Sequence, residues 1–190
     1  MTQVYSLFTA PIVEERLEYS VEQIEALCQI ERFKNSTSNT KSNLGGWQSG
    51  NINYPDSPFF FLSDIEKMCQ EFSTHILKFN KSVTMSNAWI NINPKHSSNQ
   101  THTHPGAILS GVYYIKTPEK CGNIEFQHPA MDMIERDWSL QCNEYNPINS
   151  HTWWLRSEEG CVYIFPSWIK HRVEPNKSDE ERISISFNVV

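Results

Sequence analysis

The strongest constraint on the fold is a run of short segments, after Lys81, in which apolar and polar residues alternate. Alternation with a period of two is typical of β-strands that bury one face and expose the other. Clusters of Pro, Gly, Asn and Asp separate the segments, as expected for turns. The sequence therefore predicts seven strands, at residues 84–93, 107–116, 122–127, 151–157, 161–167, 171–175 and 182–190.

The part of the chain before these strands has a different character. Residues 4–13 are predicted to form a strand, and helices are predicted at 20–33, with Ser20 as the N-cap, and at 63–79. Residues 35–57 are rich in Ser, Asn, Thr and Gly, which predicts a long loop at the entrance to a site. Helices followed by many strands indicate an α+β chain, mainly β, whose body is a sandwich or barrel.

Length and charge narrow the class of protein. The 190 residues fit a single domain, with an N-terminal strand and helices at 1–80 and a β core at 81–190. The formal net charge is −6 and Lys and Arg are not clustered, which argues against a nucleic-acid partner. No apolar stretch reaches the ~20 residues of a membrane span. Five scattered cysteines and an N-terminus unlike a signal peptide favour a cytoplasmic protein with free thiols.

His102 and His104 are the first candidate metal ligands. Alternate residues of a strand share one face, so the pair could bind one metal ion as neutral imidazoles. The alternative is a pair of solvent-exposed histidines before a Pro-Gly turn, which is the more common situation when an HxH motif is considered on its own. His171 follows an apolar strand and a Pro turn, which can bring it to the same place, although a partly exposed histidine explains it too.

The last strand has one apolar and one polar face, and Arg182 and Ser184 lie on the polar one. A polar face usually contacts water. In a jelly roll whose outer face packs on helices it can instead point inward, toward a ligand. Arg182 would then suit a carboxylate, because a guanidinium binds one through two parallel hydrogen bonds. Asn91 and Asn93 share a face of an earlier strand in the same way, and an ordinary edge strand explains them equally well.

The order of these residues, HxH, then a distal His, then an Arg eleven positions later, resembles the iron(II)- and 2-oxoglutarate-dependent oxygenases. Their usual pattern is HxD or HxE, a distal His, and a downstream Arg or Lys. The chain is most similar to the branch found in bacteria and phages. The blocks "HTHPGAILSGVYY" (102–114) and "FPSWIKHRVEPNKSDEERISISFN" (165–188) carry the resemblance, which extends more loosely to "NAWININ" (87–93) and "GGWQSG" (45–50).

This resemblance implies a double-stranded β-helix, or jelly roll, with the N-terminal helices packed on one sheet. It also implies a dioxygenase that uses Fe(II), 2-oxoglutarate and dioxygen to hydroxylate a small-molecule or peptidyl substrate, releasing succinate and CO₂. His102 and His171 take the places of the two histidine ligands.

The resemblance further assigns the cosubstrate contacts. Arg182 takes the place of the basic residue that holds the far carboxylate of 2-oxoglutarate, and Ser184 could share that carboxylate. Asn91 and Asn93 stand where some related oxygenases contact the cosubstrate.

His104 departs from the family pattern, which has a carboxylate at this position. It either coordinates the iron as a third imidazole, which is the interpretation we favour, or lies beside it and leaves two protein ligands plus water. Coordination would leave the iron centre one unit more positive than the usual two-His, one-carboxylate site.

Two other functions remain open at this stage. One is a three-His, cupin-like dioxygenase that does not use 2-oxoglutarate, which would have no need of Arg182. The other is a non-catalytic jelly-roll binding module with a vestigial metal site. The primary substrate and the oligomeric state, a homodimer included, stay undetermined.

Overall fold

The computed structural model of the protein describes residues 2–39, 41–52 and 58–190. Within these residues the chain forms three helices and eleven strands, and the second helix continues as one π-helical turn at Phe72–Ile76. In chain order the elements are β1 (Val13–Arg16), α1 (Val21–Lys34), β2 (Asn43–Leu44), β3 (Trp47–Gln48), α2 (Leu62–Glu71), β4 (Met85–Asn93), β5 (Ser98–His102), β6 (Leu109–Lys116), β7 (Ile124–Gln127), α3 (Met131–Trp138), β8 (Thr152–Leu155), β9 (Cys161–Pro166), β10 (His171–Val173) and β11 (Arg182–Val189).

The strands form two antiparallel sheets. The larger sheet has the order β1-β9-β6-β11-β4-β3, and the smaller has the order β2-β5-β10-β7-β8. Side chains from strands of both sheets share one core, which shows that the sheets pack face to face; these are Val112, Tyr114, Ile124, Phe126, Cys161, Tyr163 and Phe165, with Ile169 from a turn. This is the predicted double-stranded β-helix.

Helices α1 and α2 cover the outer face of the larger sheet. The apolar residues of β11 point outward and are fully buried in a second core, against side chains of α1 and α2. Ser20 caps α1 as predicted, since its hydroxyl accepts a hydrogen bond from the amide of Gln23. Because the apolar face of β11 packs on helices, its polar face points inward, between the sheets, as the jelly-roll interpretation requires.

All seven strands predicted after Lys81 are present. The strand predicted at 4–13 is wrong for most of its length: β1 begins at Val13 and pairs with β9, whereas Phe8, almost fully exposed, adopts a φ of 58° that interrupts an extended chain. The second predicted helix ends earlier than expected, because Lys78 has a φ of 58°.

Four elements were not predicted. Strands β2 and β3 have two residues each and lie in the segment predicted as a loop. Strand β5 has the sequence SNQTH, which contains no apolar residue to alternate. Helix α3 buries only Ile134. Part of the predicted 35–57 loop, namely residue 40 and residues 53–57, lies outside the described residues. In the described part of the chain, no helix is long and apolar enough to cross a bilayer.

Close packing of two strands of the larger sheet leaves no room for a side chain at Gly111. A Cβ there would lie 2.5 Å from the carbonyl oxygen of Tyr163 and would also collide with the ring of Phe187. We expect Gly111→Ala to lower the melting temperature by about 3–10 °C, the usual cost of overpacking a core. Gly50→Ala is the matched control, because a Cβ at Gly50 meets nothing within 4 Å. Thermal unfolding followed by circular dichroism measures both, and equal melting temperatures would contradict the packing described here.

Candidate active site

The histidines of the HxH motif and a third histidine distant in sequence meet in the jelly roll. Strands β5 and β10 are antiparallel neighbours, and their register places His171 directly opposite His102. His104 lies just beyond β5, in a turn held by a hydrogen bond from its amide to the carbonyl of Ser167. One ring nitrogen from each histidine lies within 4.8 Å of the others, and the Nε2 atoms of His104 and His171 are 3.3 Å apart.

Backbone carbonyls orient two of these rings. The Nδ1 atom of His102 is 2.7 Å from the carbonyl oxygen of Gln100, and that of His171 is 3.0 Å from the carbonyl oxygen of Ile169. A carbonyl only accepts hydrogen bonds, so Nδ1 carries the proton in both rings. The lone pair is therefore on Nε2, which faces the other histidines, an orientation often seen for metal-ligating imidazoles.

Burial keeps the cluster uncharged. Burial lowers the pKa of His102. Burial, together with the neighbouring His102 and Lys41, lowers the pKa of His104 to about 4. Burial, together with His102, lowers the pKa of His171 to about 3. All three imidazoles are neutral at pH 7 and can donate lone pairs. Within the described residues the cluster contains no Asp, Glu or Cys, so a bound cation would be held by nitrogen alone. Such a donor set fits Fe, Zn, Cu or Ni rather than Mg or Ca.

A narrow cavity leads from the histidines into the space between the sheets. Its walls include six residues predicted from sequence, namely His102, His104, His171, Arg182, Ser184 and Asn91. Asn93, predicted with them, is the last residue of β4, where its amide donates a 3.2 Å hydrogen bond to Asn43 instead of lining this cavity.

Arg182 is the most unusual residue of the cavity, because it is a cation exposed by only 1%. Its Nη1 donates to the backbone carbonyls of Cys121 and Glu174, and its Nη2 has no hydrogen-bond partner. Among the described residues no carboxylate lies within 4.0 Å of this guanidinium. A buried charge without a counter-ion is costly. The donor left free therefore fits an anionic ligand such as a carboxylate.

Tyr114 is a candidate site residue that the sequence did not identify. Its side chain lines the same cavity, and its buried hydroxyl lies near the side chain of Ser157. Alternation on β6 restricted the inward position to one of two adjacent tyrosines; only the structure shows that Tyr113 faces the helical layer, against Phe61. The Oδ1 atom of Asn91 is buried and unpaired.

The cavity is small, about 30 Å³, which is room for about two water molecules. A five-carbon diacid fits the donors of this cavity, but it requires side chains around it to move apart. Trp89 is one such side chain, since it is only half-buried, lies between this cavity and the exterior, and has its ring 5.8 Å from that of His104.

Three neutral imidazoles at one end of a jelly roll, above a buried arginine, define a jelly-roll protein with a candidate metal centre. A family model described as "Putative 2OG-Fe(II) oxygenase" matches residues 87–188, more than half of the chain, and the protein belongs to this family. It is therefore a 2-oxoglutarate- and Fe(II)-dependent oxygenase, an oxidoreductase, as the resemblance predicted. Fe(II) and 2-oxoglutarate are the cofactors of this family, and the three histidines could hold the metal.

Solved structures share the fold at low sequence identity. A prolyl-4-hydroxylase from Pseudomonas putida is 12% identical, with a TM-score of 0.67 and coverage of 96% of this chain and 94% of that one. The viral collagen prolyl hydroxylase of Paramecium bursaria Chlorella virus-1, in its 2-oxoglutarate complex, is 14% identical, with a TM-score of 0.61 and 94% of each chain covered. HygX from Streptomyces hygroscopicus, with nickel and 2-oxoglutarate bound, is 8% identical, with a TM-score of 0.60 and coverage of 95% and 83%. No curated protein gives a significant sequence match.

The lowered pKa values predict that acid destabilises the metal-free protein. Unfolded histidines titrate near ~6.5, whereas His104 and His171 titrate at about 4 and about 3 in the folded protein. Between these limits the unfolded chain binds more protons, so the free energy of unfolding should fall as the pH falls from about 6.5 toward 4. Denaturant unfolding after treatment with a chelator measures this slope. We expect His104→Asn to remove at most about 3 kcal/mol of the pH dependence. A His104→Asn protein whose free energy of unfolding depends on pH as in the wild type would contradict the assignment.

Proposed function

We propose that the protein is a hydroxylase that oxidises a peptidyl or free amino acid, or a small metabolite, at an iron held by His102, His104 and His171. The observation that carries the proposal is the convergence of three neutral imidazoles on a cavity whose other end holds Arg182 with an unpaired donor. Bound Fe(II) and 2-oxoglutarate would supply the oxidising chemistry, in which dioxygen is consumed and succinate and CO₂ are released.

The protein's own residues would bind and orient the cosubstrate. Arg182, assisted by Ser184 and the hydroxyl of Tyr114, would hold the carboxylate farthest from the metal, since these three buried residues line the same cavity as the histidines. A carboxylate there would provide the missing partner of a buried guanidinium. Phe126 and Phe165 pack against the ring of His171 and would exclude water from that side of the metal.

His104 is proposed as a third ligand rather than a bystander. Its Nε2 lies 3.3 Å from the Nε2 of His171, and two unprotonated imidazole nitrogens so close together repel unless a proton or a cation lies between them. In the metal-free protein a neutral His104 can hold this contact by donating from its Nε2–H to the Nε2 of His171. In the other tautomer of His104 both Nε2 lone pairs point at one position, where a metal ion would bind.

The other two functions fit the cavity less well. A cupin-like dioxygenase that binds its substrate directly to the metal would leave the free donor of Arg182 without a use, and so would a non-catalytic module. We also propose that residues 1–190 act as one domain, because the helices of the N-terminal part and the apolar face of β11 share one hydrophobic core.

Anaerobic reconstitution tests the proposed function. We expect Fe(II) and 2-oxoglutarate together to give a visible metal-to-ligand charge-transfer band, because the cosubstrate would chelate the metal. Slow formation of succinate should follow on admission of oxygen, even without the primary substrate. Absorbance spectroscopy and quantification of succinate measure the two events. Fe(II) that binds without either event would favour the cupin-like alternative.

Substitution of His104 separates the two roles considered for it. His104→Ala should lower the affinity for Fe(II) at least about tenfold, since one of three ligands is lost. His104→Asp should retain iron, because it restores the usual two-His, one-carboxylate set. Equilibrium titration with Fe(II) measures both, with His75→Ala as the control. If His104→Ala keeps wild-type iron affinity and turnover, His104 is not a ligand.

Substitution of Arg182 tests the cosubstrate contact independently of the metal. Arg182→Met should weaken 2-oxoglutarate binding by about tenfold to a hundredfold, the cost of losing a charged hydrogen bond, while the affinity for Fe(II) stays within about twofold. The affinity of Arg182→Lys for 2-oxoglutarate should lie between those of the wild type and Arg182→Met, because a lysine keeps the charge but not the planar pair of donors.

Titration of the charge-transfer band gives the affinity of each Arg182 variant. Arg172→Met is the matched control, since Arg172 lies on β10 in the other sheet and its half-exposed side chain is paired with Glu125. Wild-type affinity for 2-oxoglutarate in a folded Arg182→Met protein would remove Arg182 from the site.

A further inference from the structure

Two open clefts flank the segment that carries His104. One, of about 820 Å³, lies beside β4, β5 and residues 41–51. The other, of about 620 Å³, lies beside the turn between β9 and β10. Both are lined by residues 103–107, so a molecule that reaches His104 from outside can extend in either direction.

The larger cleft, called the polar cleft below, is lined mainly by amides and hydroxyls. It also contains one lysine, Lys41, and among the lining residues that the structure describes there is no Asp or Glu. The absence is local, because the whole chain carries a net charge of −6.

Lys41 is the cation of this polar cleft. It is exposed, and no carboxylate of the described residues pairs with it. Its charge reaches the metal site, since it contributes to the lowered pKa of His104. The charge of Lys41 and the absence of described acids make the cleft complementary to an anionic group.

The smaller cleft, called the apolar cleft below, has a different surface. Trp168, Phe79 and Ile108 line it and are 53%, 44% and 37% exposed, and three prolines complete much of its wall. Large exposed apolar side chains in a concave surface are typical of binding sites. The hydroxyl of Ser167 donates to the carbonyl of Ala107, which ties this wall to the segment that carries His104.

We propose that the substrate is a polypeptide segment that crosses the site at His104, with an acidic residue in the polar cleft and an apolar residue against Trp168. This inference rests on the proposed oxygenase function and narrows its substrate class. Each cleft alone falls in the size range of pockets that bind drug-sized ligands, so the two together exceed what a free amino acid can fill. Side-chain amides and hydroxyls can bond to peptide N–H and C=O groups. A nucleic acid would need several cations along its path, and the polar cleft offers one.

Paired peptide libraries test the proposal. Each library consists of short peptides with a randomised centre. One flank carries acidic residues or the matching amides, and the other flank carries Leu and Phe or Ser. Every combination is made with the two flanks in either order along the peptide. Succinate formation and the gain of one oxygen atom by a peptide, detected by mass spectrometry, are measured with the Fe(II)-loaded enzyme and 2-oxoglutarate. We expect the library with both acidic and apolar flanks to stimulate turnover most.

Variants of the two clefts show which cleft is responsible for each flank preference. Lys41→Gln should remove the preference for acidic over amide flanks, a change of up to about fivefold in kcat/KM. Trp168→Ala should remove the preference for apolar flanks by about fivefold or more. Lys81→Gln and Trp154→Ala are matched controls, since both residues are exposed and lie outside the linings of the two clefts. Both controls should keep both preferences.

The outcomes distinguish failure of the peptide proposal from failure of the proposed oxygenase function. Substrate-independent succinate formation without stimulation by any library overturns the peptide proposal and leaves the oxygenase function standing. The proposal is also overturned if the four combinations of flanks stimulate turnover equally, or if the flank preferences survive in both cleft variants. The absence of any 2-oxoglutarate turnover overturns both.

Discussion

The packing of strand β11 between the helices and the smaller sheet is the constraint on which the site depends. Its apolar residues are fully buried against α1 and α2. Because strand side chains alternate, the same packing forces Arg182 and Ser184 inward. A slip of one residue would move the arginine to the outer face and place isoleucines in the cavity. The hydrophobic core thus determines the register that points a cation at the proposed cosubstrate.

The charges of the cavity residues complement the arrangement that the packing sets up. The cavity holds neutral imidazoles at one end and a buried guanidinium at the other, with no carboxylate of the described residues within ion-pair distance of that guanidinium. Such a site is incomplete without ligands, because lone pairs and an unpaired donor face one another across a narrow space. A metal ion and a dicarboxylate are complementary to both ends. Because all three candidate ligands are neutral imidazoles, they bring no negative charge to the metal end, and a bound cation would depend on the charge of its other ligands.

Much of the fold was visible in the sequence, and the exceptions have physical reasons. Period-two alternation revealed each strand that buries one face, including β11. Strand β5 was missed because its residues are polar throughout and it is held by pairing with β2 and β10 rather than by burial. The strand predicted near the N-terminus was misplaced because apolar residues such as Phe8 imitate a buried strand but have nothing to pack against.

The sequence by itself determined the candidate ligands, their order and the family, because these depend on residue identity and spacing. Tertiary structure alone decided which of two tyrosines faces the cavity, that Asn93 bonds to Asn43, and that Arg182 has a free donor. It also placed Lys41 and Trp168 in the two clefts that share the segment carrying His104. These facts depend on strand register and on contacts between residues far apart in the chain, and a local pattern carries no information about them.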